Sequence, residues 1–152
     1  MPNDPCISSP QRSPLPYPVP VVRAIVEDSA GRVLILQRAA GTHSGGGWCL
    51  PGGKVECGET VASAVRGEMA EETGLECTGM RFLFYQDSLA AEPGGMHCLN
   101  LYFQCACSGE VRLNCESTAY AWVTPQDLDR YALVFRNGEG LRQYWVEAAK
   151  PG

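Results

Sequence analysis

The stretch that decides the fold is Gly53-Lys54-Val55-Glu56-Cys57-Gly58-Glu59-Thr60-Val61-Ala62-Ser63-Ala64-Val65-Arg66-Gly67-Glu68-Met69-Ala70-Glu71-Glu72-Thr73-Gly74-Leu75. Thr60 to Thr73 reads as a helix, and Gly74 follows where a left-handed cap is wanted. Just upstream, Pro51-Gly52-Gly53 is a turn signal in which no regular element is expected to persist. On a helical wheel with Val61 at 0°, Glu68 falls at about −20°, Glu72 at about +20° and Glu71 at about −80°. Three carboxylates therefore share one side. Two of them stand beside Val61 and Val65, on the face expected to pack.

That placement is unfavourable for a helix alone. Glu68 and Glu72 form an i,i+4 like-charge pair and Glu68 and Glu71 an i,i+3 pair, each costing roughly 0.2–0.5 kcal/mol. All three crowd the C-terminal half, where the dipole disfavours anions by about 0.3–1 kcal/mol each. A divalent cation reverses the sign of every one of these terms. Carboxylate oxygens suit Mg²⁺, which takes few protein ligands and completes its shell with waters and substrate phosphates. A merely solvated acidic helix end is the plain alternative, and it leaves the flanking Pro-Gly-Gly and Thr-Gly without a purpose.

Outward from the helix, strands dominate. Val19 to Glu27 and Arg32 to Arg38 are β-rich runs joined by Asp28-Ser29-Ala30-Gly31, a hairpin signal. Gly41 to Gly47 is a glycine-rich loop ending at Trp48. Met80 to Gln86, Cys98 to Cys107 and Ala119 to Val123 are further strands. Thr124-Pro125 starts a short helix, with proline at the first helical position. A last helix runs from about Asn137 to Ala149, with Leu141, Tyr144, Trp145 and Ala148 on its apolar stripe. Strands interrupted by helices define an α/β domain with a mixed sheet.

Seven of the eleven prolines fall within the first twenty residues, so residues 1–18 are expected to be an extended or flexible arm and residues 19–152 the folded domain. The chain has 152 residues, 45% hydrophobic and 19% charged, enough for one ordinary core. Twelve basic against seventeen acidic residues leave a net charge of −5. Such a surface repels phosphate backbones, so nucleic acid is not an expected partner. No apolar run approaches the ~20 residues a bilayer demands, and no secretory leader is recognisable at the start, so a cytoplasmic location is expected. The eight cysteines (Cys6, Cys49, Cys57, Cys77, Cys98, Cys105, Cys107, Cys115) and two histidines complete no zinc pattern, and reduced, mostly buried thiols are expected.

The helix and its flanks resemble the Nudix hydrolases, whose signature is G-x5-E-x7-R-E-U-x-E-E-x-G-U, with U aliphatic. Gly53, Glu59, Glu68, Met69, Glu71, Glu72, Gly74 and Leu75 stand at the required spacing. Trp48 to Gly53 resembles the strand and turn before that box, and Ala121 to Leu128 the late strand and helix start. One position departs: Gly67 stands where the family has arginine, and Arg66 is one residue early, on the far side of the wheel. The resemblance implies an α/β/α sandwich with a mixed sheet between helices, and hydrolysis of a diphosphate joined to another moiety, often a nucleoside. It implies Mg²⁺, with Mn²⁺ able to substitute, held by Glu68 and Glu72 with Glu71 bound directly or through water. A carboxylate must take a proton from the attacking water, and Glu68 and Glu116 are both candidates for that catalytic base. Arg23 and Arg38 are candidate phosphate contacts. Gly52 and Gly53 let backbone approach the phosphates. Trp48, Tyr85 and Phe135 are candidates to stack on a base, with core roles open to each. The expected partner is a small nucleotide substrate, the expected assembly a monomer or homodimer. The second reading, prompted by Gly67, is a catalytically impaired nucleotide-binding module of the same fold.

Overall fold

The computed structural model describes residues 16–91 and 94–151, so most of the proline-rich arm expected at 1–18 lies outside the described residues. Two-residue alternation sets the layers. In β1 (Val19–Val26), Val22, Ala24 and Val26 enter one apolar cluster while Ile25 enters another. In β2 (Val33–Arg38), Leu34 and Leu36 enter the first cluster, Val33 and Ile35 the second. Successive strand side chains point to opposite faces, so each strand feeds two cores. Helix α1 (Val61–Thr73) fills the first with Ala64, Val65 and Met69. Helix α2 (Asn137–Ala149) fills the second with Leu141 and Tyr144. The result is the expected α/β sandwich with helices on opposite faces.

The remaining strands are β3 (Trp48–Cys49), β4 (Gly52–Lys54), β5 (Glu76–Ser88), β6 (Cys98–Ser108) and β7 (Ser117–Val123). They divide between two sheets, a mixed one in the order β4-β1-β6-β5 and an antiparallel one in the order β3-β2-β7. Strand β1 lies parallel to β6, with Val19 opposite Cys98 and Val26 opposite Cys105. A parallel strand covered on both faces should be apolar along its length, and seven of the eight residues of β1 are buried.

Two expectations need correction. The Asp28–Gly31 turn forms, with the Gly31 N–H donating to the Asp28 carbonyl, but it does not make a two-stranded ladder. Only a Glu27–Val33 bridge joins its arms, because β1 and β2 diverge into different sheets. Second, Gly52-Gly53 does not interrupt structure: it forms β4, paired antiparallel with β1 through Val22 opposite Gly53 and Arg23 opposite Gly52. A Cβ on Gly52 would lie 1.9 Å from the Val22 carbonyl oxygen, so glycine is what permits the pairing. The short helix expected after Thr124 forms, as the 3₁₀ helix Pro125–Arg130 with Thr124 as its N-cap. The Asp127 carboxylate accepts hydrogen bonds from both the N–H and the hydroxyl of Thr124.

Helix α1 follows its caps. The Ser63 N–H donates to the Thr60 hydroxyl oxygen at 3.1 Å, and Gly74 ends the helix at φ 70°. Helix α2 has the expected bounds, although Trp145 is half-buried and Ala148 exposed. Cys49 and Cys105 are buried free thiols, Cys77, Cys98 and Cys107 half-buried ones and Cys57 an exposed one. Cys115 departs from expectation in being disulfide-bonded. Among the described residues no helix is long and apolar enough to cross a membrane.

Candidate active site

Strand β4 is the hinge of the site, because it lies between β1 and the carboxylate face of α1. The Gly52 N–H donates to the Glu72 carboxylate at 3.0 Å. On Gly53, a Cβ would stand 2.6 Å from the carboxyl carbon of Glu68. The two glycines thus give two carboxylates room against a backbone edge. Glu68 and Glu72 are half-buried and Glu71 is exposed, as the wheel requires.

Burial disfavours the charged form of both half-buried acids. The Glu68 carboxyl is pushed up to about 7, first by burial and then by the charges of Glu71, Glu116 and Glu59; an interaction with the Glu72 side chain opposes this. Glu72 is held well above the usual carboxylate range by burial and by the charges of Glu68 and Glu116, against the Gly52 hydrogen bond and the Arg23 charge. Glu116 is therefore within electrostatic reach of both, from the loop before β7. That loop is fixed where the Ala39 N–H donates to the Glu116 carbonyl.

Arg23 of β1 is only 7% exposed. It donates to the Leu50 carbonyl at 3.3 Å, and its Nε is buried with no hydrogen-bond partner among the described residues. Arg38, at the end of β2, donates through Nε to the His43 carbonyl at 2.5 Å. Both guanidiniums lie over the ring of Phe135, at 4.9 and 5.0 Å from its centre. His43 stacks on the same ring at 6.0 Å. Among the described residues neither arginine belongs to an ion pair.

These donors suit a hard divalent cation. Among the described residues no group of three or more acidic, histidine or cysteine side chains is preformed to hold a metal ion. Glu68 and Glu72 are two desolvated carboxylates that, among the described residues, belong to no ion pair, and a bound divalent cation would relieve that desolvation.

The structure thus brings together Glu68, Glu72, Glu71, Glu116, Gly52, Gly53 and Arg23, with Arg38 joined to Arg23 through Phe135. The base-stacking expectations fare differently. Trp48 is half-buried and packs edge-on against Tyr131 at 4.9 Å. Tyr85 is exposed on β5, the outer strand of its sheet. The Phe135 ring is engaged by guanidiniums. Sequence reasoning missed Glu59 as a contributor to the acidic field, and Cys49, whose buried thiol is pushed up by desolvation and lies in the fields of Arg23, Glu72 and Arg38. Two cavities, about 510 and 480 Å³, open beside Glu27 and Asp28 at the far end of β1 and include none of these groups.

With this geometry in place, residues 17–144 match the NUDIX domain family, and the chain belongs to the Nudix hydrolases. A MutT-like protein of Streptomyces ambofaciens is 35% identical over 138 residues, spanning 85% of this chain and 80% of that protein. The nucleoside triphosphatase NudI of Escherichia coli O139:H28 is 36% identical over 109 residues, covering 64% of this chain and 75% of its own. The fold is shared with the crystal structure of a MutT protein from Methanosarcina mazei Go1, at TM-score 0.79 and 24% identity over 90% of this chain and 99% of that one.

Proposed function

We propose that the protein is a Mg²⁺-dependent pyrophosphohydrolase, acting on the diphosphate linkage of a nucleoside triphosphate (oxidised forms included) or of a nucleoside diphosphate derivative. The observation that carries this reading is the half-buried Glu68–Glu72 pair set against the Gly52-Gly53 strand edge. The relatives named as a nucleoside triphosphatase and as MutT-like support the substrate class. Glu68 and Glu72 would hold the ion, with Glu71 reaching it from the exposed side. When bound, the ion neutralises phosphate oxygens and acidifies water for attack on phosphorus.

The chain's own residues supply the rest. Arg23 and Arg38 bind the diphosphate oxygens, since a guanidinium fork matches phosphate geometry. Gly52 and Gly53 keep side-chain bulk out of the path of the phosphates. A carboxylate accepts the proton of the attacking water, from Glu68 beside the glycines or from Glu116 across the loop. Proton acceptance requires the ionised carboxylate, which ties turnover to pH.

A panel of nucleoside triphosphates and nucleoside diphosphate derivatives, assayed with Mg²⁺, with Mn²⁺ and with excess EDTA, tests this. Turnover is expected with either metal and is expected to vanish with the chelator. Full turnover in EDTA overturns the metal role. Gly67 motivates the second reading, a binding module: nucleotide binding with no hydrolysis of any panel member would establish it instead.

A further inference from the structure

We infer that Phe135 is a positioning residue whose ring gathers the guanidiniums of Arg23 and Arg38 into a single diphosphate-binding pair. This rests on the reading above and names the part of the substrate that the pair would grip. Two like charges repel, yet both guanidiniums lie over one ring and so within 10 Å of each other. The electron-rich face of an aromatic ring attracts cations and offsets that repulsion. Arg23 adds an independent observation: it is almost wholly buried, and among the described residues its Nε has no hydrogen-bond partner. A buried N–H left in that state is unfavourable until an acceptor, such as a phosphate oxygen, arrives.

The ring is also held there at a conformational cost. Phe135 and Arg136 are consecutive non-glycine residues in the left-handed region, at φ 59° and 61°, a backbone state that persists only when surroundings enforce it. Buried amides enforce it. The Phe135 carbonyl accepts from the Asn100 and Asn137 side chains, each at 3.2 Å, and the Arg136 carbonyl accepts from Gln86 at 3.0 Å. Asn100 in turn donates to Gln86 at 2.9 Å, and the Leu50 N–H donates to Asn137 at 2.8 Å. Strands β5 and β6 and helix α2 thus fix the backbone that carries the ring beside two arginines that come from β1 and β2. A loop serving only as a connector needs none of this.

The test uses the whole chain and inorganic pyrophosphate, with calorimetric binding in EDTA beside steady-state kinetics on the best nucleotide substrate. Phe135→Leu keeps apolar bulk and removes the aromatic face. It is expected to weaken pyrophosphate binding and raise KM, each by about tenfold, while kcat falls less than threefold and the melting temperature holds within a few degrees. Phe135→Tyr is expected to restore both binding and KM. Should Phe135→Leu fail to fold, pentafluorophenylalanine at position 135 keeps the shape and inverts the ring's charge distribution, and the same tenfold losses are expected. Unchanged KM and pyrophosphate affinity in the leucine or fluorinated form overturn the inference. So does a loss that tyrosine does not rescue. If the wild-type chain hydrolyses nothing on the panel yet binds pyrophosphate in a Phe135-dependent way, the hydrolase reading fails and this inference stands.

Discussion

Burial raises the cost of ionising both Glu68 and Glu72, and the Glu68 charge raises that of Glu72 further, which makes single substitutions informative. Glu68→Gln and Glu72→Gln remove a ligand's charge with almost no change of shape, and each is expected to lower turnover by at least ~10²-fold. Stability should hold or rise, because a repulsive pair is relieved. Turnover and melting temperature of each variant check this; a variant that keeps its activity and melts much lower marks a structural residue. Gly67 is the other telling position. A Cβ there meets nothing within 4 Å, so alanine enters without clash. Gly67→Ala is expected to add up to ~1 kcal/mol through helix propensity, about 2–4 °C for a chain of this size. Gly67→Arg should match that gain and also place a cation one turn before Glu71. Turnover should then rank Arg above Ala above Gly, and equal rates for all three would show that the missing arginine does not limit the site.

Among the elements, α1 was legible to the residue because capping and periodicity are local: Thr60, Gly74 and the valines specify it without reference to the rest of the chain. The carboxylate pair was legible for the same reason, both acids lying on that one helix. Strand β4 was not. Two glycines in sequence signal a break, and only the approach of the Val22 carbonyl turns the absence of Cβ atoms into a requirement for pairing. The Asp28–Gly31 turn misled in the opposite direction, because a turn fixes a reversal of the chain and leaves open which sheet each arm joins. Phe135 was singled out only as a candidate to stack on a base, because its engagement with Arg23 and Arg38 joins positions about a hundred residues apart in sequence. The polar Gln86 and Asn100 within apolar strands were the available hint. Gly52→Ala probes β4 directly. With 1.9 Å between the new Cβ and a backbone oxygen, the β1–β4 pairing must shift, at an expected cost of about 1–3 kcal/mol. Chemical denaturation measures that loss, and turnover should fall with it, since Gly52 also donates to Glu72. Wild-type stability in this variant would show that the strand edge yields freely.

Across the whole molecule, the acidic site couples folding to pH and, on the proposed metal role, to Mg²⁺. The Glu68 carboxyl is raised from 4.5 to about 7, so the folded state binds more protons than the unfolded chain between those values. The contribution of this group to stability is full below about pH 4.5 and is lost as the pH rises through about 7. Mg²⁺ binds the ionised form and should recover that loss. The increase in melting temperature on adding Mg²⁺ is therefore expected to be larger at pH 8 than at pH 5.5, and an equal increase at both would remove these carboxylates as ligands. The division of β1 and β2 between two sheets bears on how the chain acquires its shape in time. Val19 finds its partner at Cys98 and Val33 at Val123, so neither central strand completes its ladders until distant segments arrive. Pairings of such long sequence separation demand costly loop closure before they are rewarded, which slows folding relative to helical bundles. Helix α1, 13 residues long, is too short and too crowded with carboxylates to persist alone, so it too waits for the sheets. During synthesis, the nascent chain carries its acidic cluster long before it carries a site.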